Sequence, residues 1–271
     1  MKIGIVGCAG RMGRMLISEV LATSGCELAG GTEKPGSDAI GEDLAALAGA
    51  EASGLLGLLV GEDPGVLFGD SDAVIDFTEP DATRSHARLA GETGTALIVG
   101  TTGLEAQHME ALKAASEKAA VVQAANMSAG VNLLFGLTEQ VAAALGDDYD
   151  IEITEMHHRH KVDAPSGTAL ALGRAAAKGR GVDLDEVSQR ARDGKTGERK
   201  PGDIGFAVMR GGDVAGEHTV IFAGDGERVE LTHKANDRAI YARGAVRAAL
   251  WTEGRGPGLY SMRDVLGLAR G

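Results

Sequence analysis

Short apolar segments alternate with amphipathic segments along the first half of the chain. Runs dominated by apolar residues predict buried strands, and they lie at Lys2–Val6, Cys26–Thr32, Ala73–Phe77, Ala96–Val99 and Ala120–Gln123. Apolar positions at helical spacing lie between these runs, at Met12–Leu21, Asp81–Glu92 and Glu105–Lys118. Strands that alternate with helices predict a parallel sheet with helices on both faces.

The pattern changes near Asp148, where polar and apolar positions begin to alternate. Asp150–Met156 has the period of two that is typical of a strand with one polar face. A helix is then predicted at Ser166–Lys178 and a polar loop at Arg190–Asp203. Three strands with glycine-rich turns follow, at Phe206–Met209, Glu217–Phe222 and Arg228–His233, and a last helix is predicted at Ala239–Trp251. Strands joined by short turns favour a mainly antiparallel sheet. The change of pattern predicts a domain boundary near Met127.

Composition narrows the class of protein. The 271 residues carry a formal net charge of -12, with a pI near 5.1, which argues against non-specific nucleic-acid binding. Only Cys8 and Cys26 are present, too few for a disulfide framework, so a reducing compartment is expected. The N-terminus has no signal-peptide pattern, and no apolar run approaches the roughly 18 residues of a membrane span. We expect a cytoplasmic protein with no membrane partner.

A glycine-rich segment, Gly7–Gly13, follows the first predicted strand and opens the first helix. Glycines at this point let the backbone approach a dinucleotide pyrophosphate, and the helix start supplies unpaired N–H groups. The spacing is G-x-x-G-x-x-G, with Ala9 in place of the usual middle glycine. The segment predicts a dinucleotide site; the alternative is a tight turn that binds nothing. The fold class is therefore an α/β Rossmann-like parallel-sheet domain followed by an α+β domain with a mainly antiparallel open sheet.

Other candidate cofactor residues follow the remaining strands. Glu33 stands where an acidic side chain accepts the ribose hydroxyls of a dinucleotide, and Lys34 could contact a 2′-phosphate. This pair predicts that NADH and NADPH are both accepted; an exposed pair in a turn is the alternative. Gly100–Gly103 and Ala124–Met127 lie at the carboxyl ends of two strands, where ligands bind in open parallel sheets.

The most unusual segment is His157–Lys161, which holds three of the seven histidines together with Arg159 and Lys161. Adjacent cations repel one another, so the cluster does not help the chain to fold. We infer that it binds an anionic substrate. The neighbouring cations should hold the histidines neutral in the empty site, and a histidine can carry a proton near neutral pH. Lys161 suits binding or proton donation. Asp163 either orients a neighbour or caps the next helix, and the segment either continues the strand or leaves it as a loop.

The segment Pro165–Thr168 predicts a helix start. Its first N–H groups have no partner within the helix, so those of Gly167 and Thr168 could bind a carboxylate, with Ser166 as an ordinary N-cap. A solvated loop or a subunit contact remains an alternative for the cluster. A metal site is not predicted, because Arg159 and Lys161 would repel a cation.

The four remaining histidines are interpreted as lying outside the site. His86 and His108 fall in helical patterns and are predicted to be surface residues. His218 and His233 fall in strands and are interpreted as structural, although His233 could border the site.

Together these motifs resemble those of the dihydrodipicolinate reductase family, of the diaminopimelate route to lysine. The resemblance runs through nearly the whole chain and is carried by Gly7–Gly13, Asp76–Thr78, Gly100–Gly103, Ala124–Asn126, Glu155–Ala169, Thr196–Arg199, Gly216–Thr219 and His233–Ala235. The cluster with its helix start is highly specific to the family, whereas the glycine segment is not.

The resemblance implies a dinucleotide-binding domain of residues 1–127 and 236–271, and a substrate-binding and tetramerisation domain of residues 128–235 in a homotetramer. It implies NAD(P)H-dependent reduction of 4-hydroxy-tetrahydrodipicolinate, a cyclic dicarboxylate, with loss of water. His157 would be the catalytic proton donor and acceptor, Lys161 the second proton donor, and His158, Gly167 and Thr168 the carboxylate contacts. The implied cofactor residues are Gly7, Cys8, Ala9, Gly10, Arg11, Met12, Glu33, Lys34, Gly100, Thr101, Thr102, Ala124, Ala125, Asn126 and Met127.

Three questions stay open at this point. Lys34 stands where some family members carry arginine, so the choice between NADH and NADPH is undecided. Arg159 and His160 have no assigned role. Two other functions share the glycine segment: a related dehydrogenase acting on another imino or amino acid, which should lack the His157–Thr168 motif, and a non-catalytic NAD(P)-sensing protein, which would have no use for proton donors.

Overall fold

The computed structural model describes residues 1–49 and 57–268, and its internal contacts divide the chain into two compact units. The first unit comprises Met1–Ser128 and Ala239–Gly271, and the second comprises Ala129–Arg238. Residues 50–56 and 269–271, which the predicted domain ranges include, lie outside the described residues.

The first unit is built on a parallel sheet. Its strands are β1 (Lys2–Val6), β2 (Glu27–Thr32), β3 (Ala73–Asp76), β4 (Ala96–Val99), β5 (Ala120–Gln123) and β11 (Gly258–Tyr260). Among the described residues they form a six-stranded sheet in the order β11-β5-β4-β3-β1-β2, and every neighbouring pair is parallel. The chain places β2 on one side of β1 and β3, β4, β5 and β11 on the other. This is the arrangement of a doubly wound Rossmann-like sheet.

Helices cover both faces of this sheet. They are α1 (Arg11–Ala22), α2 (Leu44–Leu47), α3 (Pro64–Asp70), α4 (Pro80–Thr93), α5 (Ala106–Ala115), α9 (Ala239–Trp251) and α10 (Met262–Val265). Alternate strand residues enter different cores: Ile75 and Ile98 pack with α1 and α9, whereas Val74 and Leu97 pack with α3, α4 and α5. Burial on both faces explains the continuous apolar runs of these strands. The predicted α/β parallel-sheet class is confirmed.

The second unit contains a mixed, mostly antiparallel sheet. Its strands are β6 (Asp150–His157), β7 (Ser188–Gln189), β8 (Ile204–Arg210), β9 (Gly216–Gly224) and β10 (Glu227–Ala235), in the order β10-β9-β6-β8-β7. The β10–β9 and β9–β6 pairs are antiparallel, whereas β6–β8 and β7–β8 are parallel. Strand β6 therefore separates β8 from β9, although those two strands are consecutive in the chain. The predicted α+β class is confirmed.

One face of the second sheet carries the helices α6 (Ala129–Leu145), α7 (Gly167–Arg180) and α8 (Leu184–Val187). Ile151 and Ile153 of β6 and Val220 of β9 pack with Leu134 of α6 and Leu172 of α7. The alternate residues of β6 are only partly buried, as the period of two predicts.

Several elements escaped the sequence pattern. Helix α6 was not predicted, and neither was β11, which adds a sixth strand after the helix that was expected to end the chain. Helix α6 has few polar residues among its apolar ones, so its helical periodicity is weak. Strand β11 is only three residues long. Short edge strands depend on a neighbour for their hydrogen bonds, which their own sequence does not reveal.

Candidate functional site

The loop after β1 is shaped by two glycines. Gly7 has a φ of 66°, and a Cβ there would lie 2.7 Å from Cγ2 of Thr78. A Cβ on Gly13 would lie 2.3 Å from the carbonyl oxygen of Gly7, so α1 can pack against the loop only with glycine at this position. The backbone N–H of Gly7 donates to the carbonyl of Thr32 at 2.8 Å, which ties the loop to the end of β2. Both positions therefore require glycine for packing within the protein, and the predicted approach to a pyrophosphate stays a prediction.

Helix α1 starts at Arg11 with Gly10 as its N-cap. Because glycine has no side chain, the first N–H groups of the helix receive no cap and are suited to a phosphate. Arg11 is exposed, while Ala9 and Met12 are partly buried. The Cys8 side chain is fully buried, and burial, with a smaller effect of Glu33, raises the pKa of its thiol to about 12. Cys8 can therefore offer a cofactor only its backbone.

Glu33 and Lys34 follow β2 directly. The Glu33 carboxylate accepts a hydrogen bond from the backbone N–H of Ala9 at 2.8 Å, so it folds over the glycine loop. Lys34 is exposed. The structure thus brings the acidic residue of the pair against the loop and leaves the lysine on the surface.

The two other predicted cofactor segments lie at the same edge of the sheet. Gly100–Thr102 follow β4 and Ala124–Met127 follow β5, and the carboxyl ends of these parallel strands adjoin those of β3 and β1. A Cβ on Gly100 would lie 2.3 Å from the Phe77 ring, so this position also requires glycine. Thr101 and Met127 are buried, whereas Thr102 is exposed.

A buried polar network beneath this edge was missed by the sequence analysis. Asp76, the last residue of β3, is fully buried, and its Oδ2 lies 2.8 Å from Nδ1 of His86 on α4. Its Oδ1 accepts hydrogen bonds from the backbone N–H and the hydroxyl of Thr78 at 2.8 and 2.6 Å, and from the hydroxyl of Thr101 at 3.2 Å. Thr83 of α4 also donates to Thr101 at 2.9 Å. The network fixes Thr101, one of the predicted cofactor residues.

Burial raises the pKa of Asp76, but the hydrogen bond and charge of His86 and the bonds from Thr78 outweigh it, so the pKa of this carboxyl lies below its usual value. His86 and His108 are 8% and 4% exposed, so the prediction that both are surface residues was wrong. His108 is held at the start of α5, where its Nδ1 accepts from the backbone N–H of Glu105 at 2.9 Å. A charged residue at the end of a fully apolar strand was the signal that could have revealed this network.

In the second unit, β6 ends at His157 and the rest of the cationic segment leaves the sheet. His157 Nδ1 lies 2.6 Å from Oε2 of Glu155, two residues earlier on the same face of the strand. Arg210 of β8 donates to both oxygens of Glu155, at 2.7 and 2.9 Å, and the backbone N–H of Ser166 donates to Oε1 at 3.0 Å. Burial raises the pKa of Glu155, but these hydrogen bonds outweigh it, so its pKa lies below the usual value.

His218 of β9 also lies beside His157, although its sequence pattern indicated a structural role. The two rings meet edge to face, with centroids 5.1 Å apart. Nε2 of His218 lies 3.0 Å from the Ser166 hydroxyl, which accepts from the backbone N–H of Ala169 at 3.1 Å. Burial, and to a lesser extent the charge of His157, lowers the pKa of His218 to about 4.

The segment from His158 to Asp163, which we call the cationic loop, is held by backbone and ionic contacts. The backbone N–H groups of His158 and Arg159 donate to the carbonyls of Val214 and Gly212 at 2.8 and 3.2 Å. Lys161 Nζ donates to the Asp163 carboxylate at 2.7 Å, so Asp163 orients Lys161. Its alternative role as the cap belongs to Ser166.

His158, at the start of the cationic loop, is partly buried, whereas His160 is exposed. Burial lowers the pKa of His158, followed by the charge of Arg238, whose Nη2 lies 3.4 Å from Nε2 of the ring. The sequence predicted a neutral histidine here because of neighbouring cations, but burial lowers the pKa of His158 more than those cations do. Arg159 and His160 are exposed.

Helix α7 begins at Gly167, and Ser166 is its N-cap. A Cβ on Gly167 would meet no atom within 4 Å, so the space beside the first N–H of the helix is open. Thr168 follows in the first turn. The start of α7 is thus accessible at Gly167, and its assignment to a carboxylate stays a prediction.

The described residues contain neither a metal-binding cluster nor a membrane-spanning helix. No group of three or more histidine, cysteine, aspartate or glutamate side chains within residues 1–49 and 57–268 is arranged to hold a metal ion. Over the same residues, no helix is both long and apolar enough to cross a membrane.

The first unit has the fold of a dinucleotide-binding domain, and the second places histidine and lysine beside a helix start that suits an anion. A chain that combines the two belongs to the class of NAD(P)-dependent oxidoreductases. Two family models give the particular family: "Dihydrodipicolinate reductase, N-terminus" matches residues 1–127, and "Dihydrodipicolinate reductase, C-terminus" matches residues 130–266. The chain is a member of the dihydrodipicolinate reductase family.

Individual relatives agree with this assignment. The 4-hydroxy-tetrahydrodipicolinate reductase of Dinoroseobacter shibae is 56% identical over 266 residues, which cover 98% of this chain and 98% of the relative. That of Beijerinckia indica subsp. indica is 54% identical over 268 residues, or 99% and 98% of the two chains. A solved structure of dipicolinate-bound dihydrodipicolinate reductase from Paenisporosarcina sp. TG-14 has the same fold, with a TM-score of 0.75, 22% identity and coverage of 96% and 97%.

Proposed function

We propose that this protein catalyses the NAD(P)H-dependent reduction of 4-hydroxy-tetrahydrodipicolinate to tetrahydrodipicolinate, with loss of water, in lysine biosynthesis through diaminopimelate. The observation that carries the proposal is the match over 98% of both chains to a relative with that activity in its name. The cationic loop and the start of α7 supply the groups that such a dicarboxylate needs.

The first unit fits a nicotinamide dinucleotide. The uncapped start of α1 and the close approach allowed at Gly7 and Gly13 suit the pyrophosphate, and Glu33 and Lys34 stand where the adenosine ribose is read. We assign cofactor binding to residues that follow the parallel strands and to the first residues of α1: Gly7, Cys8, Ala9, Gly10, Arg11, Met12, Glu33, Lys34, Gly100, Thr101, Thr102, Ala124, Ala125, Asn126 and Met127. When bound, the reduced nicotinamide supplies the hydride for C4 of the cyclic imine.

The second unit would bind the two carboxylates. His158 and the N–H groups of Gly167 and Thr168 are assigned to this role, because a helix start favours anions and the space beside Gly167 is open. The structural neighbour from Paenisporosarcina binds dipicolinate, which is itself a cyclic dicarboxylate. A dicarboxylate would also explain why cations cluster here in a chain of net charge -12.

Proton transfer is assigned to His157 and Lys161. His157 can take or give a proton through Nε2, because its Nδ1 is held by Glu155. Lys161, ion-paired to Asp163, can stabilise and protonate the negative charge that develops on the conjugated imine after hydride addition.

The test follows the absorbance of NADH and of NADPH during incubation of the protein with enzymatically generated substrate. Substrate-dependent oxidation of either cofactor would support the proposal, and dipicolinate should inhibit it competitively. Cofactor binding without turnover would instead favour a sensing protein, and turnover only with a different imino acid would favour a related dehydrogenase.

Lys161→Ala should lower turnover by about a hundredfold and raise the substrate KM, because one change removes a proton donor and a cation. Lys195→Ala is a suitable control, since Lys195 is exposed in the polar loop before β8. An unchanged kcat in Lys161→Ala would contradict the assignment of Lys161 as a proton donor.

The same family membership supports two further proposals, one about the oligomeric state and one about the cellular location. The protein would be a homotetramer assembled through the second unit, where β10 leaves a row of exposed residues at the sheet edge; sedimentation velocity at micromolar concentration would test this. It would act in the cytoplasm, in keeping with its two unpaired cysteines, and cell fractionation would test that location.

A further inference from the structure

Glu155 is a carboxylate that the proposed reaction does not use, yet it is only 1% exposed. Its Oε2 lies 2.6 Å from Nδ1 of His157 and accepts a hydrogen bond from Nη1 of Arg210 at 2.7 Å. Its Oε1 accepts hydrogen bonds from Nη2 of Arg210 at 2.9 Å and from the backbone N–H of Ser166 at 3.0 Å. Each oxygen therefore has two partners, and the carboxylate is fully satisfied.

The chemistry of these partners settles the direction of each hydrogen bond. A guanidinium and a backbone N–H can only donate, so Glu155 accepts from both, and these contacts hold its pKa below the usual value, which keeps it ionised at neutral pH. Its fourth partner, the His157 ring, then donates as well, and the proton of a neutral ring is carried on Nδ1. Nε2 is left as the nitrogen that can exchange a proton with a substrate.

We propose that Glu155, clamped by Arg210, is a positioning residue that fixes the tautomer and ring orientation of His157. The proposal rests on the proposed catalytic role of His157. Arg210 is the second positioning residue, because its Nη2 also donates to the backbone carbonyl of Asp163 at 2.7 Å. Since Asp163 holds Lys161, this one guanidinium connects the supports of both proton carriers.

The side of His157 away from Glu155 is kept clear by Gly216. A Cβ on this glycine would lie 3.0 Å from Nε2, close enough to crowd the reacting nitrogen. The other titratable or charged groups around the ring come from three further elements: Arg210 on β8, His218 on β9, and His158 and Lys161 on the cationic loop. None of these can accept the Nδ1 proton in place of Glu155, because Glu155 alone lies within hydrogen-bond distance of Nδ1 among the described residues.

Glu155→Gln is the decisive variant. An amide has one oxygen and one NH2, so its NH2 must face either Nδ1 of His157 or the N–H of Ser166. The N–H of Ser166 can only donate, whereas a neutral imidazole can accept on either nitrogen, so the NH2 should face His157, donate to Nδ1 and move the ring proton to Nε2. We expect kcat to fall on the order of a hundredfold or more with a smaller change in KM, because a ring that carries its proton on Nε2 cannot accept one there.

The matched control is Glu152→Gln on the same strand. Glu152 also accepts two hydrogen bonds from an arginine, Arg192, at 2.8 and 2.9 Å, and a further one from Arg199 at 2.9 Å, but it contacts no histidine among the described residues. A purely structural role for Glu155 predicts that both variants lose stability and that neither changes kcat more than its folded fraction allows. Positioning predicts that only Glu155→Gln changes kcat.

A second readout needs neither substrate nor cofactor. Nitrogen NMR of the imidazole rings, assigned by comparison with His157→Gln, should show the Nδ1–H tautomer for His157 in the wild type and in Glu152→Gln. Glu155→Gln should lose that tautomer. A wild-type protein with the Nδ1–H tautomer but without reductase activity would refute the proposed function and leave the orienting contact intact, so the two failures are distinguishable.

Arg210→Lys and Arg210→Met cover the case in which Glu155→Gln does not fold. Lysine keeps the charge but not the two-bond fork, so it should retain more of kcat than methionine, by about tenfold. Wild-type kcat together with the Nδ1–H tautomer in either Glu155→Gln or Arg210→Met would overturn the proposal.

Discussion

Each unit of this protein contains a buried carboxylate paired with a histidine, and the two pairs differ in what surrounds them. Asp76 and His86 meet at 2.8 Å in the first unit, and Glu155 and His157 meet at 2.6 Å in the second. The carboxylates are 0% and 1% exposed. Distance and burial alone would therefore suggest the same role for both.

Their remaining partners separate them. Asp76 is completed by the backbone and hydroxyl of Thr78 and the hydroxyl of Thr101, and the His86 ring stacks on Phe68 with centroids 6.1 Å apart. Glu155 is completed by the guanidinium of Arg210, so its charge is balanced even without the histidine. In the first pair the histidine supports the carboxylate, whereas in the second the carboxylate supports the histidine.

The largest expected effect is on turnover in the second unit. His157→Ala should lower kcat about a thousandfold, because a general acid–base group is lost. Stability should change by less than about 1 kcal/mol, since Arg210 and Ser166 still satisfy Glu155. Steady-state kinetics and NADH fluorescence titration would check this. Wild-type turnover, or an equal loss of NADH affinity, would contradict the catalytic assignment.

The same change in the first unit should act on stability. His86→Ala leaves the Asp76 carboxylate buried without its histidine partner and should cost about 3 kcal/mol in the free energy of unfolding. NADH should also bind more weakly, because Asp76 holds Thr101. Urea titration and calorimetry would measure both quantities, with the exposed Ser85→Ala on the same helix as the control. Unchanged stability would show that the two pairs are alike after all.

A smaller effect concerns acid. His218 has a pKa of about 4 when folded against a usual 6.5, so the unfolded chain takes up its proton first as the pH falls. Stability is thus unaffected above about pH 6.5 and is lost between 6.5 and 4, by about 2 kcal/mol at pH 5. The lowered pKa of Glu155 adds a loss only below its usual value of 4.5.

Hydrogen exchange of the β6 and β9 amides at pH 7 and pH 5 would measure this difference. His218→Gln should remove the part of the loss that falls between pH 6.5 and 4. The β1 and β3 amides of the first unit provide the comparison, because the pKa of Asp76 lies below its usual 3.8 and its contribution persists to lower pH. Equal acid sensitivity in wild type and His218→Gln would remove this distinction.

The smallest effect concerns cofactor choice. Lys34→Ala should weaken NADPH binding about tenfold and leave NADH binding nearly unchanged, because only NADPH carries the 2′-phosphate that Lys34 is proposed to contact. Comparison of the two KM values is sufficient. Equal losses for the two cofactors would show that Lys34 does not read the 2′-phosphate.

Much of the fold followed from local pattern. The strands at Lys2–Val6 and Ala96–Val99 were predicted with the bounds observed, since a strand buried on both faces is apolar throughout. The period of two predicted a strand at Asp150–Met156, and β6 extends one residue further, to His157. By contrast, the parallel pairing of β6 with β8 could not be predicted, because consecutive strands β8 and β9 with a short turn favour a hairpin.

The chain's sequence by itself determined its two fold classes, its glycine loop, the cationic segment and the start of α7, because each depends on residues close together in the chain. Only the tertiary structure decided which carboxylate serves which histidine. Arg210 reaches Glu155 across 55 residues of sequence because β6 and β8 pair with His157 opposite Arg210. His86 became buried because α4 packs over the end of β3. Such contacts arise from strand register and helix packing, which join residues whose separation in the chain carries no local signal.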